Sequence, residues 1–252
     1  MSHNLKESIP TRDDDGGGSG NGGLDLDGIP LTTPEIQARN HAIIMTVGFL
    51  IMLPLGVLVA RFTRTWFKHW FWTHATIQLL LSAPLIFYGA SLGVSLATQL
   101  GIQDQRDTHQ SIGIALLALY ATQLLLGAFS SAHFSRLACP AGVQRVFWGG
   151  LLHRAPWNYA HVLLGLAILA LAGYQVHYGL DEEWEVSLGG LHEVPQRAFS
   201  AWMALIIVFW VLYFVGFALL PKQFRAERTR KREQMARRGS VAKDGEVVPE
   251  SA

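Results

Sequence analysis

His41, His74, His109 and His161 each stand near the start of a different long apolar segment. An imidazole in such a place needs a chemical reason. An ionisable group inside a bilayer costs roughly 2.5 kcal/mol or more, and it usually faces the bundle interior, where it pairs, relays protons or holds a cofactor. Four histidines at one recurrent position point to a shared task.

The segments that must position them follow from hydropathy. The chain has 252 residues, 50% of them hydrophobic and only 15% charged, and the charges cluster between uncharged runs. Those runs extend from His41 to Ala60, His69 to Gln103, Thr108 to Ser135, Ala155 to Leu180 and Ala198 to Pro221. Each is long enough for the ~20 residues that a spanning helix needs. The sequence therefore predicts an all-α membrane protein with five transmembrane helices. The second run exceeds one span, so it tilts or its end from Gln99 onward lies in the interface. Pro54 and Pro84 are expected to kink the first two spans.

Basic residues beside spans stay on the cytoplasmic side. They occur between the first and second spans (Arg61, Arg64, Lys68), between the third and fourth (Arg136, Arg145, Arg154), and after the fifth (Lys222, Arg225, Arg228, Arg230, Lys231, Arg232). The other two connections are acidic, with Asp104 and Asp107 in one and Asp181, Glu182, Glu183, Glu185 and Glu193 in the other. This pattern puts the N-terminus outside and the C-terminus in the cytoplasm.

That topology sorts the histidines. The first and third spans start on the outer side and the second and fourth on the inner side, so His41 can meet His109 and His74 can meet His161. Any other pairing would have to cross most of the ~30 Å apolar layer. Two histidines on facing helices, with a flat apolar cofactor between them, suit six-coordinate haem. Both axial positions are then filled, which favours electron transfer over oxygen binding. A closed zinc site wants four N or S ligands at one point, whereas these lie at two depths. Gly113, Gly165 and Gln78 follow their histidines by one turn, with Tyr120, Gln123, Gly127, Ala172 and Gly179 further along. The small residues among them are expected to make room for a macrocycle, or else to permit close helix packing. The expected architecture is a four-helix core holding two haems, with the fifth helix outside it.

Cys139 is the only cysteine, so covalent haem attachment through Cys-x-x-Cys-His is excluded. Residues 1–40 contain Asp13 to Asp15 and a Gly-rich run, GGGSGNGG, and are expected to form a disordered outer tail or linker. Residues 41–220 make the transmembrane domain, and 221–252 a basic cytoplasmic tail able to meet anionic lipid.

The segments HAIIMTVGFLIMLPLG, HATIQLLL, HQSIGIALLALYATQLLLGA and HVLLGLAILALAGYQVHYGL, in this order and with the four histidines at their heads, resemble the cytochrome b561 superfamily from about Asn40 to Pro221. The likeness is to its fungal type, which lacks a sixth helix or is joined to an outer DOMON or cytochrome domain. It implies that His41 and His109 ligate one haem b, and His74 and His161 the other. It also implies transmembrane electron transfer from a cytoplasmic donor such as ascorbate to an outer acceptor, either monodehydroascorbate, a ferric chelate or a haem domain. Lys68 and Arg154 occupy places similar to those of the family's donor-binding cations, although the family often has Lys immediately before the second-span ligand, where this chain has Trp72 and Thr73. A homodimer is a further implication.

His177, at the outer end of the fourth span, is a candidate contact for a propionate or acceptor, His133 at the inner end of the third span is a candidate for a functional role of no stated kind, and Arg39 and Arg106 are candidates to balance outer propionates. His3, His69, His153 and His192 are assigned no role. The expected partners are lipid, a small donor and an outer acceptor, with no nucleic acid. The rival class is a non-redox transporter or receptor whose histidines relay protons or serve structure, and such a protein would be colourless.

Overall fold

The computed structural model describes residues 30–102, 107–130, 156–189 and 192–219, with separate residues between 221 and 236. Arg106, His133, Arg136, Cys139, Arg145, His153, Arg154 and the first 29 residues, including His3, lie outside the described residues. Among the described residues, five helices are long and apolar enough to cross a membrane: α1 Thr33–Thr63, α2 Trp70–Gln99, α3 Thr108–Ala128, α4 Trp157–Leu188 and α5 Gln196–Leu219. The protein is an all-helical integral membrane protein, with no strand among the described residues. Helices α1 and α2 pack together, as do α3 and α4, and α5 lies against α1 and α4.

Polarity is distributed as a lipid environment demands. Leu80, Val94, Leu125 and Leu163 are exposed on the outside, whereas Gln78, Ser82 and Gln175 are buried within. In water this would be inverted; in hydrocarbon it puts polar groups where partners exist. The buried centre comprises Phe49, Leu50, Leu53, Ile86, Leu116, Tyr120, Ile168, Leu169 and Ala172 from the first four helices, with Phe209 and Tyr213 from α5.

Helix ends explain where the structure departs from the hydropathy reading. Helix α1 begins at Thr33, eight residues before His41, because Thr32 and Glu35 form a reciprocal capping box and Pro34 stands in the first turn. Residues 33–40, expected to be tail, are therefore helical. Helix α2 stops at Gln99, where Ile102 N–H donates to Ala97 O and Gly101 N–H to Thr98 O, with Gly101 at φ 69°. That is a Schellman end, which favours glycine in the left-handed conformation. Helix α4 runs past Leu180 to Leu188, carrying Asp181 to Glu185 as helical residues, and ends before Gly189 at φ 80°. Asp107 caps α3 by accepting from Gln110 N–H at 2.7 Å.

The two prolines act through π-helical turns, Val47–Met52 before Pro54 and Ile77–Ser82 before Pro84. A proline removes one backbone donor, and a wider turn lets the remaining groups pair one residue further back. Leu53 N–H accordingly reaches Gly48 O, and Ala83 N–H reaches Gln78 O.

Candidate functional site

Each histidine of interest comes from a different helix. His41 on α1 faces His109 on α3 with ring centres 6.3 Å apart and planes at 74°. His74 on α2 faces His161 on α4 at 6.4 Å and 84°. The two pairs lie at opposite ends of the bundle, since α1 and α2 are antiparallel and so are α3 and α4. The pairing drawn from topology is the pairing in the structure.

The separation has chemical content. Two imidazoles hydrogen-bonded to each other need nitrogens about 3 Å apart, which puts ring centres roughly 5 Å apart. Two imidazoles ligating one metal from opposite sides, each at about 2 Å, put ring centres roughly 6 Å apart. Both observed separations match the second case. Each pair thus fits a metal-centred planar group held between two nitrogens.

All four histidines fall within residues 40–186, the stretch matched by the family model of eukaryotic cytochrome b561. The chain belongs to the cytochrome b561 family. Cytochromes b561 are haem b electron-transport proteins of membranes. A cytochrome b561 and DOMON domain-containing protein of Arabidopsis thaliana is 24% identical over 174 residues, which are 67% of this chain and 39% of that protein. Another protein of the same description and organism is 32% identical over 152 residues, 58% of this chain and 33% of its own. A "probable ascorbate-specific transmembrane electron transporter 1" of Oryza sativa subsp. japonica is 29% identical over 196 residues, 75% of this chain and 76% of its own. The chain thus spans less than half of the DOMON-containing relatives and about three quarters of the rice protein. No solved structure matches it.

This cytochrome b561 holds its histidines by reciprocal contacts. Nδ1 of His41 is 2.7 Å from Gly89 O on α2, and Nδ1 of His74 is 2.7 Å from Gly56 O on α1. A hydrogen bond from Nδ1–H fixes ring and tautomer and leaves Nε2 for a metal. On the other hairpin, Gln123 on α3 donates to His161 O at 2.7 Å, and Gln175 on α4 donates to His109 O at 2.6 Å. The Gln123 carbonyl lies against the His161 ring without completing a hydrogen bond to Nδ1.

These contacts expose an internal repeat. Helices α1 and α2 share His-x14-Gly, from His41 to Gly56 and from His74 to Gly89. Helices α3 and α4 share His-x3-Gly-x9-Gln-x3-Gly, from His109 to Gly127 and from His161 to Gly179. Antiparallel packing makes each motif serve the other's histidine, as an approximate two-fold axis across the bundle would.

The glycines face side chains of neighbouring helices. Gly127 and Gly179 leave room for ligand rings: an added Cβ would lie 3.1 Å from His161 Cε1 and 2.9 Å from His109 Cε1. Gly93 does the same for His41 at 2.8 Å. Gly113 and Gly165 face the amide nitrogens of Gln175 and Gln123 at 3.5 and 2.7 Å. The missing side chains seat histidines and glutamines.

Other expected site residues fall in varied places. His177 packs on α5, with its ring centre 4.6 Å from Trp202 and 6.0 Å from Phe199. Its neighbour Tyr178 is the residue that stacks on His109, at 6.4 Å and 16°. One residue along a helix turns the side chain by about 100°, so Tyr178 faces His109 while His177 faces α5. Lys68 is exposed in the turn before α2, and Arg39 is partly buried on α1. Between the two pairs, fully buried Tyr120 donates to Gln78 O at 3.0 Å and contacts Phe49 and Phe87. Helix α5 is fastened by Trp202 Nε1–H to Gly173 O at 2.8 Å and by the Arg61 guanidinium, 4.1 Å from the Phe217 ring centre.

Proposed function

We propose that His41 and His109 hold one haem b and His74 and His161 a second, and that the protein moves electrons across the membrane between them. The observation that carries this reading is the near-identity of the two ring separations, 6.3 and 6.4 Å, at opposite ends of one bundle. The bound haems would supply one-electron redox chemistry. The chain's own part is positional: Gly89 and Gly56 orient His41 and His74, while the apolar packing around Tyr120, Ile86 and Ile168 excludes water between the two sites.

The basic connections support a cytoplasmic His74/His161 end and an outer His41/His109 end. The printed name of the rice relative supports ascorbate as the cytoplasmic donor, with Lys68 and Arg154 on the side where that anion would arrive. The DOMON-containing relatives support an outer DOMON partner as acceptor, met through the Gly-rich tail. Monodehydroascorbate and ferric chelates are the small-molecule alternatives, and a homodimer is the proposed assembly.

The deciding experiment is an absorption spectrum of the detergent-purified full chain before and after dithionite, with haem quantified per chain. Two low-spin b haems per chain are expected, and ascorbate should reduce them. A colourless protein would overturn the proposal, and two haems inert to ascorbate would overturn the donor.

A further inference from the structure

The turn joining α1 to α2 is unlike the other described connections. Three of the chain's eight tryptophans, Trp66, Trp70 and Trp72, fall within seven residues there, interleaved with Phe67 and Phe71 and with Arg64, Lys68 and His69. Trp66 is 74% exposed and Trp72 69% exposed, and Lys68 and His69 are exposed beside them. The aromatic rings are held in place. Trp66 Nε1–H donates to Phe62 O at 3.1 Å, which pins the indole to the end of α1 with its face outward. The Arg64 guanidinium carbon lies 5.1 Å from the Trp70 ring centre.

Only one environment accepts this combination. Water disfavours two broad exposed indoles, and hydrocarbon disfavours Lys68. The boundary between them accommodates both, because indoles sit at headgroup depth and lysine extends its ammonium to the phosphates. Charge adds a selection. Between Glu35 and Asp104 there is no acidic residue, and Glu35 stands at the far end of α1. No carboxylate within the turn neutralises Lys68, so its counter-charge comes from outside this hairpin.

We infer that residues 64–72 form a binding surface for anionic phospholipid headgroups, with Trp66 and Trp72 in the interface and Lys68 as the principal headgroup contact. The surface opens two residues before His74, so the lipid would border the entry to that site. The inference needs only a membrane-embedded chain and stands apart from the haem assignment.

The test uses the full chain in nanodiscs of phosphatidylcholine carrying a minor fraction of diazirine-bearing phosphatidylserine or, in parallel, diazirine-bearing phosphatidylcholine, with cross-links mapped by mass spectrometry. The serine lipid should label residues 64–72 about fivefold more than the choline lipid, since a surface cation contributes ~1 kcal/mol. Lys68→Gln should abolish most of that preference and Lys68→Arg should keep it, with far-UV circular dichroism unchanged in both. Equal labelling by the two headgroups would overturn the inference. So would a preference unmoved by Lys68→Gln. If Lys68→Gln instead raised the KM for ascorbate while leaving the labelling intact, the lysine would belong to donor binding and the lipid surface would be refuted.

Discussion

His192 and Glu35, 157 residues apart in sequence, meet in a buried pair in which Nδ1 of the histidine lies 2.8 Å from Oε1 of the carboxylate. Both side chains are about 2% exposed. The same carboxylate accepts from Thr32 N–H and Thr32 Oγ1, each at 2.7 Å, and Trp184 Nε1–H donates to His192 O at 2.7 Å. The segment between α4 and α5 is thereby fastened to the first turn of α1.

Breaking that pair from one side strands a buried polar group. Glu35→Ala and His192→Ala should each destabilise the protein by roughly 3–5 kcal/mol. The double variant should lose clearly less than the sum, because neither partner is then left alone. Thermal unfolding in detergent measures this, and additive losses would show that the contact carries little coupling.

Haem content should divide by end. His74→Ala or His161→Ala should halve the haem per chain in a pyridine haemochrome assay, and His41→Ala or His109→Ala should do the same while removing the other spectral component. Full haem retention in any of the four would break the ligand assignment.

The steep angles between ring planes, 74° and 84°, predict a particular magnetic signature. Perpendicular axial imidazoles leave two iron d-orbitals nearly equal in energy, so both oxidised haems should give strongly anisotropic low-spin signals with a large highest g value. Frozen-solution electron paramagnetic resonance reads this directly, and a rhombic signal of the parallel-plane type would contradict the geometry.

Gly127→Leu and Gly179→Leu should act locally. Each side chain would press on one imidazole, His161 or His109 respectively, where even a Cβ lies within about 3 Å. Gly127→Leu should shift or remove only the haem at the His74/His161 end, and Gly179→Leu only the other. Spectra resolved by stepwise reductive titration distinguish them.

Tyr120→Phe removes one buried hydrogen bond, to Gln78 O, while keeping the ring contacts with Phe49 and Phe87. Because Gln78 O also accepts from Ala83 N–H, the acceptor stays satisfied and the loss should be about 1 kcal/mol. Tyr120→Ala opens a cavity at the centre and should cost roughly 3–5 kcal/mol, by analogy with other large aromatic deletions.

What was legible in the sequence follows from what each signal encodes. Hydropathy encodes span number, and span direction then dictates which histidine meets which, so the two pairs could be deduced without coordinates. Helix ends are set by single residues instead. The capping box at Thr32 and Glu35 lengthens α1, and no fall in hydropathy marks it. The face presented by a residue needs helix phase to within one position, which is what separates His177 on α5 from Tyr178 on His109. That Gln123 and Gln175 reach Gly165 and Gly113 on the neighbouring helix depends on a three-dimensional approach that the letters do not carry. The repeat His-x3-Gly-x9-Gln-x3-Gly was present in the letters, yet its meaning depends on the antiparallel packing that makes the two copies reciprocal.

That reciprocity has a consequence for direction. Because each half of the core supports its partner's histidine by the same spacing, turning the bundle end over end nearly restores it, and the helices themselves supply no preferred sense of current. A rectifier would need unequal ends, and the inequality here resides in the connections: the tryptophan-rich cationic turn beside His74, and the His192 to Glu35 clasp at the other end. On the proposed reading, the sense of flow is then set by which donor and acceptor those end structures admit, and the core would serve either direction.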